Sequence, residues 1–214
     1  MGRPARAEVA AVARTGASSA GTRCSWDRLY REDGRMFPVK PVEPGAHIHS
    51  SDPFATPEPD KSAVRRLRGR LAAPVTLWTA PGPAGLTVSS MLVADGSPGR
   101  VLGLVDEESE FWDAAAVAGR FAVTPLRPGD QQLADRFAGL MPAPGGLFAG
   151  DGWADTDYGK VPAGAGTWAG CRLDGHRPYG WGLLVEATIE EIRLDDGGLA
   201  PLLHFRGRYR ALDR

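Results

Sequence analysis

Residues Gly85–Ser90, Gly-Leu-Thr-Val-Ser-Ser, combine a glycine with three hydroxyl side chains on a strand-like segment. The preceding Pro81–Ala84 has the composition of a turn, and the following Met91–Val93 is apolar. Glycine lets the backbone approach another group closely, and Thr and Ser supply small hydrogen-bond donors and acceptors. The motif therefore suits contact with a flat polar heterocycle, although hydroxyl residues at strand ends are common in β proteins.

The sequence around this motif alternates short apolar segments with Pro/Gly turns, which predicts a mostly β fold of the α+β type. Val101–Val105 is almost continuously apolar, as is typical of a strand buried on both faces. Many short strands favour an antiparallel barrel, because closure leaves few unpaired edges. Strands are predicted at Val75–Thr79, Leu86–Val93, Val101–Val105, Phe121–Thr124, Thr167–Leu173, Leu183–Arg193 and Leu202–Arg206.

An amphipathic helix is expected at the start of the folded part. Val64, Leu67 and Leu71 recur at helical spacing between two prolines. The arginines among positions 65–70 indicate a solvated face, with an anion site as the alternative. This helix would lead the chain into the first strand.

Two further helices are expected, followed by a long irregular excursion. Glu107–Ala118 has apolar residues on one face and a plausible stop at Gly119. Asp130–Leu140 has apolar residues at suitable spacing, and Asp130 can cap it. Residues 141–166 have little periodicity and much glycine and proline, which predicts a long surface loop of the kind that often binds ligands.

The composition is that of a globular protein. The 214 residues are 43% hydrophobic and 24% charged, enough for one domain with a sizeable core. A net charge of −1 gives no overall field for collecting nucleic acid or an anionic membrane, so neither is expected as a partner. No apolar run approaches the roughly 20 residues of a membrane helix. Cys24 and Cys171 have no CxxC partners, which fits a reducing cytoplasm.

Residues 1–60 differ from the rest, being rich in Ala, Gly, Pro, Ser and Arg. Such a segment buries too little apolar surface to offset the entropy of ordering it. We expect 1–60 to be a flexible extension, with a docked piece around His49–Phe54 left open, and 61–214 to be the folded domain. Met36 leaves open a later start of translation.

Four short blocks, in order, resemble the flavin reductase-like family, whose members are FMN-binding split β-barrels that usually dimerise. Each block is weak alone, and their order over roughly 150 residues is fairly specific. The blocks are Gly85–Ser90 (similar to Gly-Leu-Thr-Ala-Asn-Ser), Gly119–Val123 (similar to Gly-Arg-Phe-Ala-Val), Gln132–Gly139 (similar to Gln-x-Leu-Ala-x-x-Phe-Ala) and Leu203–Arg210 (similar to Leu-x-Tyr-x-Arg-Gly-x-Tyr).

The resemblance implies that FMN, with FAD as the alternative flavin, binds at the first block. Thr87, Val88, Ser89 and Ser90 would border the isoalloxazine ring. Backbone N–H groups and hydroxyls aimed at the ring would hold it flat and favour its reduced, anionic form.

The flavin phosphate is expected near Val105, Asp106 and Ser109. Ser109 would open a helix and offer its hydroxyl, backbone N–H groups and the positive end of the helix dipole, all of which suit a phosphate. Relatives often carry arginine, lysine or serine in this turn, whereas this chain has the acidic run Asp106–Glu110 around Ser109. The phosphate charge would then be met by arginines elsewhere, for example in the opening helix, or FMN affinity would be low.

The nicotinamide side of the implied site departs from the family. The family's Gly-Asp-His, whose histidine lies near the nicotinamide, is replaced here by Tyr179-Gly180-Trp181. Trp181 can stack on a ring but cannot exchange a proton as histidine does. His176 is the other candidate for contact with the nucleotide.

The implied activity is hydride transfer from NADH or NADPH to flavin N5, in a homodimer, with a flavin-dependent monooxygenase as a candidate partner. No side chain is expected to act as a catalytic acid or base, since the cofactor carries the redox chemistry. The alternative is a non-catalytic flavin-binding or partner-binding module on the same barrel, which the acidic turn and Trp181 favour slightly.

A metal site is not expected. His47 and His49 have no third ligand nearby, and Asp151, Asp155 and Asp157 lack the glycine and glutamate of a calcium loop.

Overall fold

The computed structural model describes residues 62–196 and 200–212, and a curled antiparallel sheet forms its centre. The expected extension at 1–60 and the alternative start at Met36 lie outside these described residues. The helices are α1 (Ala63–Gly69), α2 (Glu110–Ala118) and α3 (Gln131–Phe137). The strands are β1 (Ala73–Pro74), β2 (Thr76–Ala80), β3 (Ala84–Val88), β4 (Met91–Ala94), β5 (Arg100–Val105), β6 (Arg120–Pro125), β7 (Trp153–Thr156), β8 (Gly159–Pro162), β9 (Trp168–Tyr179), β10 (Gly182–Arg193), β11 (Leu202–Phe205) and β12 (Arg208–Ala211).

The central sheet has seven strands in the order β3-β2-β6-β9-β10-β5-β4, and all its pairings are antiparallel. β3 and β4 are its two edges, yet only Ser89 and Ser90 separate them in the chain. So short a link spans roughly 11 Å at most, so the sheet must curl until its edges approach each other. The Leu104 N–H donates to the Ser90 carbonyl at 2.9 Å, which joins this link to β5.

The half-barrel confirms the predicted fold class, a mostly β antiparallel barrel with a few peripheral helices. Its interior is filled by inward-facing side chains, among which Trp78 stacks on Phe121 with ring centroids 4.8 Å apart and meets Phe111 of α2 edge-on. A second buried cluster, which includes Phe137 of α3, lies under the small sheet β1-β11-β12. The two clusters fix α2 and α3 against the barrel.

Several elements differ from the sequence-based expectation. The strand predicted at Leu86–Val93 is two strands, because the chain changes sheet edge at Ser89 and Ser90. The predicted excursion at 141–166 contains the hairpin β7–β8, and β12 was not predicted. Asp130 makes no side-chain cap bond, because its carboxylate accepts instead from the Arg127 N–H at 2.7 Å.

The predicted burial of β5 on both faces was wrong, and the amphipathic helix α1 has no buried face among the described residues. No residue of α1 is buried, and its apolar positions are exposed. β5 is buried on its inner face only, while Leu102 and Leu104 on its outer face are half-exposed. Within the part of the chain that the structure describes, no helix is long and apolar enough to cross a membrane.

Candidate functional site

The Gly85–Ser90 motif lies at the junction between the two edges of the curled sheet. The Val88 side chain points into the core and is 3% exposed, while its carbonyl accepts from the Thr76 hydroxyl at 2.6 Å. Ser89 and Ser90 are half-buried, so their hydroxyls reach the surface at the junction. Val88 can therefore offer a ligand only backbone groups, whereas the two serines can also offer side chains.

α3 packs on the outer face of the same strand. The Thr87 hydroxyl donates to the Ala134 carbonyl at 2.8 Å, which commits its proton and leaves its lone pairs able to accept. A Cβ placed on Gly85 would lie 2.6 Å from Cε1 of Phe137, so a ring of α3 occupies the space that this glycine leaves. The sequence did not reveal this contact, since Phe137 belongs to a block almost fifty residues away.

The turn between β5 and α2 holds the three residues expected near a phosphate. Val105 ends β5 in the core and is 1% exposed. The Asp106 carboxylate accepts from the Glu108 N–H at 2.9 Å, and its carbonyl accepts from the Ser109 hydroxyl at 2.7 Å. Ser109 in turn caps α2, since its Oγ accepts from the Trp112 N–H at 3.2 Å. The turn is thus held by its own side chains.

The start of α2 also presents two backbone N–H groups. The N–H groups of Glu110 and Phe111 have no hydrogen-bond partner among the described residues, as is usual in the first turn of a helix. They add to the positive end of the helix dipole, which favours an anion. The side chains of Glu107, Glu108 and Glu110 are exposed and oppose that field. The sequence predicted backbone N–H groups at the helix that Ser109 opens, and the capping geometry identifies them as those of Glu110 and Phe111. The Ser109 hydroxyl, also predicted to face the phosphate, donates instead to the Asp106 carbonyl.

The β9–β10 hairpin contributes the two candidates for the nicotinamide side. Trp181 lies in its two-residue turn, after Gly180 with a φ of +63°, and is 64% exposed. His176 lies further down β9, with its ring centroid 4.6 Å from that of Trp112 in α2. His176 is therefore in contact with the helix that Ser109 caps, while Trp181 stands at the hairpin tip.

Strand register brings these segments to one end of the sheet. Ser90 bonds to Leu104, Val105 is opposite Leu183, and Leu183 is opposite Pro178. A Cβ on Gly182 would lie 2.6 Å from the Val105 carbonyl, so the start of β10 fits tightly against the end of β5. The motif, the β5–α2 turn and the hairpin thus share one end of the half-barrel, with Thr87 on the side that faces α3.

A separate depression of about 80 Å³ lies between the end of β6 and residues 162–167. Ligand pockets usually measure about 300–1,000 Å³, so this one is too small for a flavin. Among the described residues, no group of three or more His, Cys, Asp or Glu side chains could hold a metal ion. Asp155 pairs instead with Lys160 at 2.7 Å, and His47 and His49 lie outside the described residues.

Residues 68–213 match the family described as flavin reductase like domain. NADH:FMN oxidoreductase from Rhodococcus qingshengii is 30% identical over 154 residues, which cover 70% of this chain and 78% of that protein. The reductase component of 4-hydroxyphenylacetate 3-monooxygenase from Thermus thermophilus is 29% identical over 71% of this chain and 97% of its own length. The crystal structure of the nitrilotriacetate monooxygenase component B homologue from Mycobacterium thermoresistibile superposes with a TM-score of 0.63 at 26% identity, over 70% of this chain and 85% of that one.

Proposed function

The chain belongs to the flavin reductase-like family, and from that premise we propose that it binds FMN and transfers a hydride to flavin N5 from NADH, with NADPH as the alternative donor. The observation that carries the proposal is the position of Gly85–Ser90, the family's ring-binding block, at the junction of the two sheet edges. Relatives named as FMN reductases that use NADH support the choice of FMN and NADH.

The ring site in this proposal is built from Thr87, Val88, Ser89 and Ser90. The half-buried serines offer hydroxyls, and the backbone of the junction offers polar groups to a flat heterocycle. Thr87 is held by its bond to Ala134, so its remaining lone pairs have a fixed direction. A preorganised set of this kind favours the form of the ring that carries more negative charge.

The phosphate site in this proposal is the first turn of α2, with Val105 and Asp106 in the preceding turn. The N–H groups of Glu110 and Phe111, which have no partner among the described residues, are suited to a phosphate oxygen, and Ser109 keeps that turn in place by capping. The exposed glutamates beside it reduce the affinity without blocking the N–H groups, since their side chains reach solvent. We therefore expect FMN to bind more weakly than in relatives with a basic turn.

The nicotinamide would approach from the side of His176 and Trp181. Trp181 is free to stack on a ring, and His176 is steadied by its edge contact with Trp112. Bound flavin supplies the redox chemistry by accepting the hydride and passing on its electrons. The chain itself binds, orients and partly shields the two rings, so no side chain has to move a proton.

The decisive experiment uses the full chain. Binding of FMN, FAD and riboflavin is measured by the quenching of flavin fluorescence, and oxidation of NADH and NADPH is followed in the presence of each flavin. We expect FMN binding and oxidation of NADH that depends on added flavin. FMN binding without pyridine nucleotide oxidation would eliminate the reductase, and absence of flavin binding would eliminate every flavin-based function.

A non-catalytic flavin-binding module is the second candidate. The observation that favours it is the replacement of the family's histidine by Trp181, together with the carboxylates around Ser109. The same experiment distinguishes it, because this module would bind FMN with no oxidation of NADH or NADPH.

A homodimer forms part of the proposal. The outer face of β4, β5 and β10 carries leucines in cross-strand pairs, Leu92 with Leu102 and Leu104 with Leu184. Leu92 is 58% exposed and the other three are half-exposed. A second copy packed on this face would bury these leucines, and β5 would then be buried on both faces, as its apolar sequence predicts. Leu92→Glu should convert a dimer to a monomer in sedimentation equilibrium, while Val117→Glu, at an isolated exposed valine, should not.

We also propose a domain boundary, a protein partner and a cellular location for this chain. We assign residues 61–214 to the flavin reductase-like domain and 1–60 to its extension, and the start of the family match at residue 68 supports this boundary. A monooxygenase that consumes reduced flavin is the proposed protein partner, because one relative is named the reductase component of a monooxygenase and a structural neighbour is named component B of another. The free thiol of Cys171 fits the proposed cytoplasmic location. Copurification with a monooxygenase and cell fractionation would test these points.

A further inference from the structure

α1 and the β11–β12 hairpin form a surface with charge of a single sign, which we name the arginine face. Its two stretches, 62–72 and 200–212, contain no aspartate or glutamate. The excess of positive charge is local, since the whole chain has a net charge of −1. The arginine face consists of Arg65, Arg66, Arg68, Arg70, Arg206, Arg208 and Arg210.

Backbone pairing holds the two stretches together. Ala73, just after α1, is opposite His204 in β11, and the Arg206 N–H donates to the Gly69 carbonyl at 2.7 Å. None of the seven arginines forms an ion pair with a described carboxylate. Like charges are therefore crowded on this surface. Such crowding is unfavourable unless an anionic group lies opposite.

The same surface also lacks an apolar partner among the described residues. Val64, Leu67 and Leu71 on α1 are 76%, 62% and 63% exposed, and no residue of this seven-residue helix is buried. Isolated helices shorter than about 12 residues are marginal in water, so α1 needs a tertiary contact to persist. The partner that fits must therefore carry both carboxylates and apolar side chains.

We propose that residues 43–60 of this same chain dock on the arginine face and on the apolar side of α1. This segment contains Glu43, Asp52, Glu58 and Asp60 and no lysine or arginine. It also contains Ile48 and Phe54, which can cover the exposed leucines. The segment is thus complementary to the surface in charge and in apolar character.

The covalent connection favours this occupant over a separate molecule. Asp60 is two residues before Ser62, the N-cap of α1, so the segment is held beside the surface. A short tether gives an effective concentration on the order of millimolar, which makes individually weak exposed ion pairs collectively sufficient. The inference is independent of flavin binding and goes beyond the proposed function.

The test compares two full-length variants with equal changes in charge. In the first, Glu43, Asp52, Glu58 and Asp60 are replaced by their amides (E43Q, D52N, E58Q, D60N). In the matched control, Glu8, Asp27, Glu32 and Asp33 are replaced in the same way (E8Q, D27N, E32Q, D33N). Amide hydrogen exchange of residues 66–71 and tryptic cleavage after the α1 arginines are measured, with exchange of β9 and β10 as the check on folding.

In the first variant, we expect α1 to exchange its amide hydrogens and to be cleaved about threefold to tenfold faster, because several exposed ion pairs are lost. The control variant should behave like the unaltered chain. Raising NaCl to about 1 M should produce part of the same effect, since it shortens the Debye length to about 3 Å. Equal behaviour of the two variants would overturn the proposal.

Other occupants give different results and would also overturn it. Protection of α1 that rises with protein concentration would indicate a second copy. Protection that appears only with added duplex DNA, or only with vesicles of anionic lipid, would indicate nucleic acid or a membrane surface.

Discussion

The indole of Trp78 in β2 lies directly over Gly103 in β5, across the interior of the half-barrel. Three strands separate β2 from β5 in the sheet, so this contact exists only because the sheet curls. A Cβ on Gly103 would overlap Cη2 of Trp78, which is fully buried. Overpacking of this kind costs about 1–3 kcal/mol, so Gly103→Ala should lower the free energy of unfolding by that amount in urea titrations.

Gly175→Ala is the matched control for Gly103→Ala. A Cβ on Gly175 in β9 would meet no atom within 4 Å, so its stability should change little. Trp78→Leu should relieve the strain, and the double variant with Gly103→Ala should then lose less than the sum of the two single losses. Strict additivity would contradict the contact.

Thr87 and Ser90 should respond differently to loss of their hydroxyls. Thr87→Val removes the bond to the Ala134 carbonyl and should lower stability by about 1 kcal/mol as well as weaken FMN binding. Ser90→Ala leaves its carbonyl bonded to Leu104, so FMN affinity should fall about threefold to tenfold with little change in stability. Fluorescence titration and urea unfolding measure both, and unchanged FMN affinity in both variants would refute the ring site.

Ser109 should affect helix stability and phosphate binding together. Ser109→Ala removes the cap of α2, which should cost about 1 kcal/mol in unfolding experiments. FMN affinity should fall while riboflavin affinity stays the same, because riboflavin has no phosphate. Ser109→Asn, which can still cap, should recover most of the stability. An equal loss of affinity for both flavins would show that α2 does not hold the phosphate.

Trp181 should influence the pyridine nucleotide without influencing stability. Because its side chain is 64% exposed, Trp181→Ala should leave the melting temperature unchanged. Loss of one stacking contact should raise the KM for NADH about threefold to tenfold. Tyr179→Ala, on the same hairpin with 55% exposure, is the control and should leave KM unchanged. Unaltered steady-state kinetics of Trp181→Ala would exclude this residue from the nicotinamide side.

Cys171 should be unreactive until the protein unfolds. Burial, with a smaller effect of Glu190, raises the pKa of its thiol to about 12, above the unfolded value of 9.0. The folded state therefore keeps a proton that the unfolded state loses, so this contribution to stability is present below pH 9 and is lost as pH rises from 9 toward 12.

Thiol labelling checks this prediction in a Cys24→Ser background, where Cys171 is the remaining cysteine. N-ethylmaleimide at pH 8 should modify the unfolded chain fully and the native chain negligibly. Cys171→Ala should therefore lose less melting temperature between pH 9 and 11 than the unaltered chain. Part of the loss should remain, because burial also raises the pKa of Tyr209. Rapid native labelling would disprove the burial of this thiol.

The sequence by itself determined the class of fold and the end of α2, but not the cap of α3. Short apolar segments between turns are enough to indicate an antiparallel barrel, because alternation and turn chemistry are local properties. Gly119 was predicted to end α2 and does so with a φ of +65°, a conformation that glycine adopts readily. The order of four blocks likewise indicated the family, because each block is a short run of neighbouring residues.

Only the tertiary structure decided how the segments meet. Leu86–Val93 reads as one strand because both halves are apolar, and only closure of the sheet divides it at Ser89 and Ser90. The contacts of Gly85 with Phe137, and of Gly103 with Trp78, join residues that local pattern cannot connect. Periodicity shows which face of an element is apolar, but burial of that face depends on whether another surface packs against it. The outer face of β5 and the apolar side of α1 have no such packing surface among the described residues.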